Sequence, residues 1–406
     1  MTRRIFSSTL LVLPGLRGDA GRQVRVQRIT LARIEGRFHK FVAMNSYDTA
    51  PKGHTYTNTL VRLFTDQGVE GTGVMEYAAP DAAFEQAVRG LLGANPLEIY
   101  EPDSRFQPLL KLYPHLDGPL HDLVGKLTGK PCWQLLGGKA RDTVEVYDGT
   151  LYFSDVWFRD RGVRAVAEEA EEAVKKGYLG LKLKIGRGWK WMDAEAGLAR
   201  DVEVVRAVRK AAGKHIKLLV DANNGFRDNH EHAWRFLEET ADTGLYWLEE
   251  PFPEEAAEYA RLRDRMHKAD LGTYLADGEN FTEAAQFEPY LKPKKLLDVV
   301  QLDIRRGGLV QNRQLARRAE EVGALSVPHN WGSQVGLLMG LHAAKAMKAV
   351  VAAEDDRSTC DAIQAAGYEF RGGMYSVSDA PGLGISVDEK VYAAKYKAAE
   401  TVITAG

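Results

Sequence analysis

Two lysines alternate with aliphatic residues in segment 180–188, which reads GLKLKIGRG. Alternate residues of a β-strand lie on one face, so a strand here would point Lys182 and Lys184 in the same direction. Two ammonium groups on one face repel each other unless anionic groups lie nearby. An isolated pair of this kind is typical of an exposed strand edge, where lysines block aggregation. The acidic residues further along the chain decide between these two interpretations.

Three acidic residues follow successive apolar runs. Asp221 ends IKLLVD, Glu249 lies in LYWLEEP, and Glu279 lies in TYLADGEN. Three carboxylates within a few ångströms would repel strongly unless a cation neutralised them. A hard divalent ion with oxygen ligands fits, and a site that leaves positions for water or substrate favours Mg²⁺. A single acid could instead cap a helix or form a surface ion pair, but three in register indicate a metal site.

A histidine and an aspartate follow two later apolar runs. On adjacent strands, Asp303 could hold one imidazole nitrogen of His329 and raise the basicity of the other. His329 alone would also fit a structural role. Lys184 could act as a second base, its pKa lowered by Lys182 and the cation, while Lys182 neutralises an anionic substrate. A base on each side of a bound anion suits the removal or return of a weakly acidic proton.

Eight apolar runs must position these groups, and each ends in polar, mostly ionisable residues. From Lys184 to Glu354 the candidate residues recur every 24 to 37 positions, which is the length of a strand plus a helix. Eight such units in series predict a parallel α/β barrel, whose strands bring their carboxyl ends to one mouth. The runs are TVEVYDG, LGLKLK, IKLLVDANN, LYWLEEP, TYLADGEN, LDVVQLD, LSVPHN and AVVAAEDD.

The segment before the barrel predicts an α+β unit. VRVQRITLARIEG alternates as a strand, and TNTLVRLFTDQGVEGTGVMEY predicts two strands joined by a turn at Asp66-Gln67-Gly68. Helical stretches follow from about residue 82 to 136. In the barrel region, RAVAEEAEEAVKKGY predicts an amphipathic helix with Gly177 as its cap.

The composition limits the classes of function. The 406-residue chain carries 54 Lys plus Arg against 56 Asp plus Glu, so no long-range field favours nucleic acid or an anionic membrane. No apolar run approaches the roughly 20 residues of a membrane span. Cys132 and Cys360 lie far apart, which supports neither a disulfide framework nor a zinc site, and we expect both to be buried.

The first 23 residues form an N-terminal extension. Arg3 and Arg4, a short apolar run, and the small residues Gly18 and Ala20 resemble a twin-arginine export signal. Pro14 and Arg17 shorten that apolar run, and the alternative is a disordered or misassigned start. The sequence thus leaves a cytoplasmic and an exported location open.

The ordered set KLK, DANN, LEEP, DGEN, Asp303 and PHNWGSQVG resembles the enolase superfamily, specifically its mandelate racemase subgroup. The resemblance extends over nearly the whole chain from about Val24. It implies an α/β fold, a modified TIM barrel (β/α)₇β over residues 141–365. An α+β capping domain would comprise residues 24–140, with segment 366–406 returning to it. A homo-oligomer, either a dimer or an octamer, is also implied.

The same resemblance assigns roles to individual residues. It implies Mg²⁺ on Asp221, Glu249 and Glu279, with Lys184 and the His329–Asp303 dyad as general acid/base groups. Glu354 would be a protonated carboxyl group that hydrogen-bonds the substrate carboxylate. Two assignments stay open. Asp277 shares a strand face with Glu279, although the match to GEN favours Glu279, and Asp355 and Asp356 are rivals to Glu354.

The predicted reaction removes the proton α to a carboxylate and passes through an enediolate, whose charge Lys182 and Glu354 would share. Polar segment 43–56 suits a polyhydroxylated substrate. Acid-sugar dehydratases are common in the subgroup that the chain resembles, so the resemblance implies dehydration of an acid sugar to a 2-keto-3-deoxy acid. Asn223, Tyr47 and His54 are candidate substrate contacts. The alternatives are a racemase or epimerase of a 2-hydroxy acid and a non-catalytic barrel that binds carbohydrate acids; the latter is disfavoured because every acid/base position is filled.

Overall fold

The structure is a computed structural model that describes residues 23–76, 81–101 and 106–404. The predicted export signal therefore lies outside the described residues. The strands are β1 (Val26–Val42), β2 (Gly53–Thr65), β3 (Glu70–Glu76), β4 (Thr143–Leu151), β5 (Gly180–Lys184), β6 (Lys217–Asp221), β7 (Leu245–Glu249), β8 (Tyr274–Asp277), β9 (Val299–Val300), β10 (Leu325–Ser326), β11 (Ala352–Asp355), β12 (Ser358–Thr359), β13 (Ile363–Ala365), β14 (Glu369–Arg371), β15 (Met374–Ser376), β16 (Ile385–Val387) and β17 (Thr401–Thr404).

The helices alternate with these strands along most of the chain. They are α1 (Ala82–Arg89), α2 (Phe106–Leu112), α3 (Asp117–Thr128), α4 (Cys132–Leu135), α5 (Ser154–Trp157), α6 (Val163–Lys176), α7 (Ala194–Ala212), α8 (His230–Glu239), α9 (Ala256–Lys268), α10 (Glu288–Leu291), α11 (Gly308–Val322), α12 (Gln334–Ala346) and α13 (Glu389–Lys395). Short 3₁₀ helices are Pro96–Glu98, Pro114–Leu116, Ala241–Thr243, Ala284–Phe287 and Lys397–Ala399. No helix in the described part of the chain has both the length and the apolar character needed to cross a bilayer.

An antiparallel sheet in the order β12-β1-β2-β3 forms the first layer, and the predicted hairpin joins β2 to β3. Its buried face packs with α1 to α3 around a separate apolar core. Gly73 lets α3 approach β3, because a Cβ atom there would lie 2.4 Å from Pro119 Cδ. Strand β17 pairs with β1 from Arg28 to Leu31, so segment 401–404 lies on this sheet.

A parallel barrel of eight strands, β4 to β11, follows. The pairing runs in sequence from β4 to β10, β11 pairs with β4, and a bridge between Ser326 and Val350 links the last two strands. All eight strands coincide with the predicted apolar runs, which confirms the barrel prediction. Helices follow the first seven strands, whereas β12 follows β11, and this gives the (β/α)₇β arrangement.

The barrel helices form where apolar residues recur every three or four positions. In α6, Val166, Ala170 and Ala173 are buried, and Gly177 ends the helix with φ of 101°. This confirms the predicted helix and its cap. The hairpin β14–β15, which pairs antiparallel to β4, was not predicted, since its polar, glycine-rich sequence has no clear alternation.

Candidate active site

Three carboxylates converge at the carboxyl ends of neighbouring strands. In the strand register Lys184 lies beside Asp221, and Asp221 lies beside Glu249. One carboxylate oxygen from each of Asp221, Glu249 and Glu279 lies within 4.8 Å of the other two. Asp221 and Glu249 are buried, and the Glu279 side chain is 12% exposed. The structure therefore brings together the three acids that the sequence singles out.

Both lysines of β5 point into this group and are buried. Lys182 Nζ lies 2.8 Å from Glu249 Oε1 and 2.7 Å from Glu354 Oε1, and Lys184 Nζ donates to Asp221. Burial lowers the pKa of Lys184, but the Asp221, Glu279 and Glu249 carboxylates together raise it by more. Lys182 lowers the pKa of Lys184, as the sequence analysis expects, and the further lowering by a bound cation stays a prediction.

The acids compete for the available positive charge. Burial raises the pKa of Asp221, but Lys184 and Lys182 lower it by more, to about 2. Burial raises the pKa of Glu249 to about 7; Lys182 opposes this rise, and the neighbouring Asp221 carboxylate adds to it. Negative charge in the group thus exceeds what the two lysines neutralise.

Trp247 supplies a further bond to the group. Its indole Nε1 donates to Glu249 Oε2 at 2.9 Å, so both oxygens of this carboxylate accept a hydrogen bond. The sequence analysis did not single out Trp247. The available signal was the spacing, because residues 247 and 249 of one strand share a face.

His329 and Asp303 form the predicted dyad on neighbouring strand ends. His329 Nδ1 lies 2.8 Å from Asp303 Oδ2, and the backbone N–H groups of Arg305 and Arg306 donate to Asp303 Oδ1. The other imidazole nitrogen, Nε2, lies 3.1 Å from Glu279 Oε2. Burial lowers the pKa of His329, but the Glu279, Glu354 and Asp303 carboxylates raise it by more, to about 9.

The two acids of the ADGEN segment point to different places. Asp277 ends β8, is buried, and accepts a hydrogen bond from the Tyr259 hydroxyl. It lies with Glu250 and Glu254 in a separate carboxylate group. Gly278, with φ of 114°, turns the chain between Asp277 and Glu279. The structure therefore places Glu279, and not Asp277, beside Asp221 and Glu249.

The three acids after the last barrel run also separate. Glu354 faces the barrel interior, where it contacts Lys182 and accepts from the backbone N–H of Asn330 at 3.2 Å. Asp355 accepts from the Tyr178 hydroxyl at 2.6 Å, and Asp356 accepts from the backbone N–H of Ser333 at 3.1 Å. Of the three, Glu354 is the one that joins the lysine and carboxylate group.

The capping segment 43–52 lies against the mouth, and its polar groups bind protein. Asn45 Nδ2 donates to Asn223 Oδ1 at 2.8 Å, and Asn223 Nδ2 donates to Glu250 Oε2 at 2.9 Å. The Tyr47 hydroxyl donates to Glu250 and accepts from Asn224. The candidate substrate contacts Asn223 and Tyr47 therefore connect the capping segment to the barrel.

The third candidate substrate contact, His54, lies elsewhere. It is exposed on β2 and packs edge-on against Phe41, with 5.4 Å between ring centroids. The structure does not bring His54 into the buried group. Position in a polar loop was too weak a signal, because it says nothing about which way each side chain points.

The residues present fit a hard divalent cation. Three convergent carboxylates supply oxygen ligands, and they carry more negative charge than the lysines balance. The Glu279 Oε2 atom is buried without a well-directed hydrogen bond, although His329 Nε2 lies within ion-pair distance. An acceptor left in this state is suited to a metal ligand.

The mouth of the (β/α)₇β barrel thus carries three carboxylates that could hold a metal ion, a lysine pair and a histidine–aspartate dyad. Residues 165–391 match the family described as Enolase C-terminal domain-like. The chain belongs to this family, as its resemblance to the enolase superfamily and the mandelate racemase subgroup predicted.

Similar proteins include several acid-sugar dehydratases. The chain is 28% identical over 372 residues to a D-xylonate dehydratase of Haloferax volcanii, covering 82% of this chain and 84% of the relative. The fold matches a galacturonate dehydratase from Geobacillus sp. with a TM-score of 0.82 and 26% identity, over 94% of this chain and 99% of the other. A mandelate racemase/muconate lactonizing protein from Geobacillus sp. Y412MC10, solved with magnesium and tartrate, matches with a TM-score of 0.79 and 27% identity, over 92% and 95% of the two chains.

Proposed function

We propose that this protein is a Mg²⁺-dependent enzyme that removes the proton α to a carboxylate and dehydrates an acid sugar to a 2-keto-3-deoxy acid. One observation carries the proposal: the carboxylate group lies between two candidate bases. Lys184 contacts it through Asp221, and His329 Nε2 lies 3.1 Å from Glu279 Oε2. Asp221, Glu249 and Glu279 would hold the cation.

The chemistry needs strong stabilisation of negative charge. An α-proton beside a carboxylate is very weakly acidic, because its removal places a second negative charge on the same group. Bound Mg²⁺ supplies Lewis-acid stabilisation of that charge. Lys182, which already lies between Glu249 and Glu354, holds positive charge against the carboxylate end of the substrate.

The side chains on the two sides of the group move the protons. Lys184 or His329 takes the α-proton, which breaks the C2–H bond and forms the enediolate. His329 then gives a proton to the β-hydroxyl, so that the C3–O bond breaks and water leaves. The resulting enol becomes the 2-keto acid when C3 receives a proton and the C2 hydroxyl loses one to solvent. Asp303 holds His329 at Nδ1 and leaves Nε2 for both transfers.

The named activities of similar proteins support an acid sugar as the substrate class. Relatives are named as dehydratases of D-xylonate, arabinonate and D-gluconate. A small-molecule carboxylate is therefore the proposed partner, and we propose that the chain works as a homo-oligomer, since its family resemblance implies one.

The test incubates the full chain with Mg²⁺ and a panel of mono- and diacid sugars and assays for 2-keto acids. The controls are EDTA-treated protein and the Glu249→Gln variant. We expect keto acid from at least one sugar with the Mg²⁺-loaded protein and none in either control. Accumulation of an epimer without keto acid would instead support a racemase or epimerase, and binding without turnover would support the non-catalytic barrel.

A further inference from the structure

Trp247 lies directly beneath the carboxylate group inside the barrel. It is buried, with 2% of its surface exposed, and its indole N–H donates to Glu249 Oε2 at 2.9 Å. The opposite oxygen, Oε1, accepts from Lys182 at 2.8 Å. One neutral donor and one cationic donor thus hold the two oxygens of Glu249.

The two donors differ in what they can do. An indole N–H only donates, and Trp has no charge to share with other groups. Lys182 Nζ also contacts Glu354 and Asp221, so its position depends on several carboxylates. The Trp247 bond is specific to Glu249 and therefore fixes the rotation of this one carboxylate.

The Trp247 ring sits in an aromatic and aliphatic layer of the barrel interior. Tyr147 packs edge-on against it, with ring centroids 5.5 Å apart and an 87° angle between planes. Leu219 and Val327 belong to the same buried cluster. This packing leaves the indole little freedom to turn its N–H away from Glu249.

A cavity of about 280 Å³ lies on the far side of the ring, at the amino-terminal end of the barrel. Trp247, Tyr147, Leu219 and Gly180 line it, and the ion pair between Lys217 and Glu145 lies at its edge. The side chains of this pair are 42% and 29% exposed, so the cavity is close to solvent. Truncation of Trp247 would enlarge a space that a small ring compound can enter.

We infer that Trp247 is a positioning residue whose indole N–H orients Glu249 for metal binding. The inference rests on the proposed metal site and not on the identity of the substrate. Outer partners of metal ligands are typically worth about 10- to 100-fold in metal affinity. Loss of the N–H without loss of the ring should therefore weaken metal binding by about that factor.

The first experiment compares Trp247→Phe with wild type by calorimetric titration of the metal-free protein with Mn²⁺. Trp234→Phe is the matched control, because Trp234 is a buried tryptophan on α8, away from the site. We expect a Kd for Mn²⁺ raised about 10- to 100-fold in Trp247→Phe and unchanged in Trp234→Phe. An unchanged Kd in Trp247→Phe overturns the inference.

The second experiment separates the N–H from the packing of the ring. Trp247→Gly should bind Mn²⁺ weakly and melt at a lower temperature than wild type. Added indole should restore both affinity and melting temperature, whereas indene, which has the same shape without an N–H group, should restore only the melting temperature. Equal recovery of Mn²⁺ affinity with indene and with indole overturns the inference. The inference is also overturned if indole raises the melting temperature of Trp247→Gly but does not restore its Mn²⁺ affinity.

These readouts are independent of turnover. If wild type binds Mn²⁺ and Trp247→Phe binds it weakly, the inference stands even when no acid sugar is dehydrated, and only the proposed reaction fails. If wild type binds no Mn²⁺, the inference fails together with the metal site.

Discussion

Two buried lysines face four carboxylates in the candidate site. Lys182 contacts Glu249 and Glu354, Lys184 contacts Asp221, and Glu279 lies next to His329. Each buried carboxylate without its own cation costs free energy. A divalent ion would offset this cost. We therefore expect the metal-free protein to be less stable than the protein with a bound ion.

The assignment of the third metal ligand can be tested with two acids that are two residues apart. Glu279→Gln removes a charged oxygen ligand and should weaken Mn²⁺ binding by more than about a hundredfold. Asp277→Asn is the matched control, since Asp277 accepts from Tyr259 in a separate group, and its Kd should stay within about threefold of wild type. Calorimetric titration measures both. The reverse pattern would assign the metal to Asp277.

The two candidate bases should act on different faces of the substrate. A base reaches only the side of the enediolate that it faces. Lys184→Ala and His329→Asn should therefore each lose α-proton exchange in D₂O with one epimer of a bound acid sugar and keep it with the other. NMR follows deuterium at C2. Loss of exchange with both epimers in both variants would mean that the two groups do not act independently.

At the level of elements, hydrogen bonds between side chains and backbone carbonyls attach the capping segment 43–52 to the barrel. Ser46 Oγ donates to the Ile185 carbonyl at 2.9 Å, Trp191 Nε1 donates to the Asn45 carbonyl at 2.9 Å, and Lys190 donates to the Tyr47 carbonyl at 2.7 Å. These bonds link the first layer to the loops after β5. The segment is thus held over the mouth by barrel residues.

Tyr47→Phe tests this attachment. Burial and the neighbouring carboxylates raise the pKa of Glu250 well above its ordinary value. Loss of the Tyr47 hydroxyl leaves this buried group without one of its partners, which should cost about 1–3 kcal/mol. We expect faster amide hydrogen exchange over residues 44–52 and a raised KM for the acid sugar. Tyr274→Phe is the control, because Tyr274 is 37% exposed at the start of β8. Unchanged exchange in Tyr47→Phe would show that the hydroxyl does not hold the segment.

Strand positions could be predicted from the sequence, whereas side-chain directions beyond the strand ends could not. Apolar runs that end in ionisable residues located all eight barrel strands, and the period of two placed Lys182 and Lys184 on one face. The turn at Gly278 sends Asp277 and Glu279 to different groups, which a count of residues does not reveal. Likewise, the polar composition of the capping segment did not distinguish Tyr47, bound to Glu250, from exposed His54.

For the stability of the whole molecule, one buried histidine outside the candidate site matters because it stays neutral. His342 is fully buried on α12; its Nδ1 accepts from the backbone N–H of Trp133 at 3.1 Å. Its Nε2 lies 2.8 Å from the Tyr368 hydroxyl, which itself donates to the Leu383 carbonyl, so the histidine is the donor. Both nitrogens are used in the neutral form, and burial lowers the pKa of His342 to about 3.

Stability should therefore fall in acid. Below about pH 6.5 the unfolded chain binds a proton at His342, whereas the buried histidine of the folded chain stays neutral. The contribution of neutral His342 to the free energy of unfolding is therefore fully present above about pH 6.5 and is lost as the pH falls. The slope is about 1.4 kcal/mol per pH unit for one histidine. Urea unfolding measured between pH 7.5 and 4.5 gives the free energy of unfolding at each pH. In His342→Gln this free energy should decline less steeply with falling pH than in wild type, by that amount. The exposed His267 provides the control variant His267→Gln, and equal slopes in the two variants would contradict this account.

The most direct test of the central claim is turnover of an acid sugar in D₂O with and without Mg²⁺, followed by NMR and mass spectrometry. Proton abstraction followed by loss of the β-hydroxyl predicts a 2-keto-3-deoxy acid with deuterium at C3, formed only with Mg²⁺ and absent in the Glu249→Gln variant. Deuterium at C2, with an accumulating epimer and no keto acid, would support the proposed proton abstraction but contradict the proposed dehydration. No deuterium in any acid sugar, with Mg²⁺ bound to the protein, would contradict the proposed enzyme altogether.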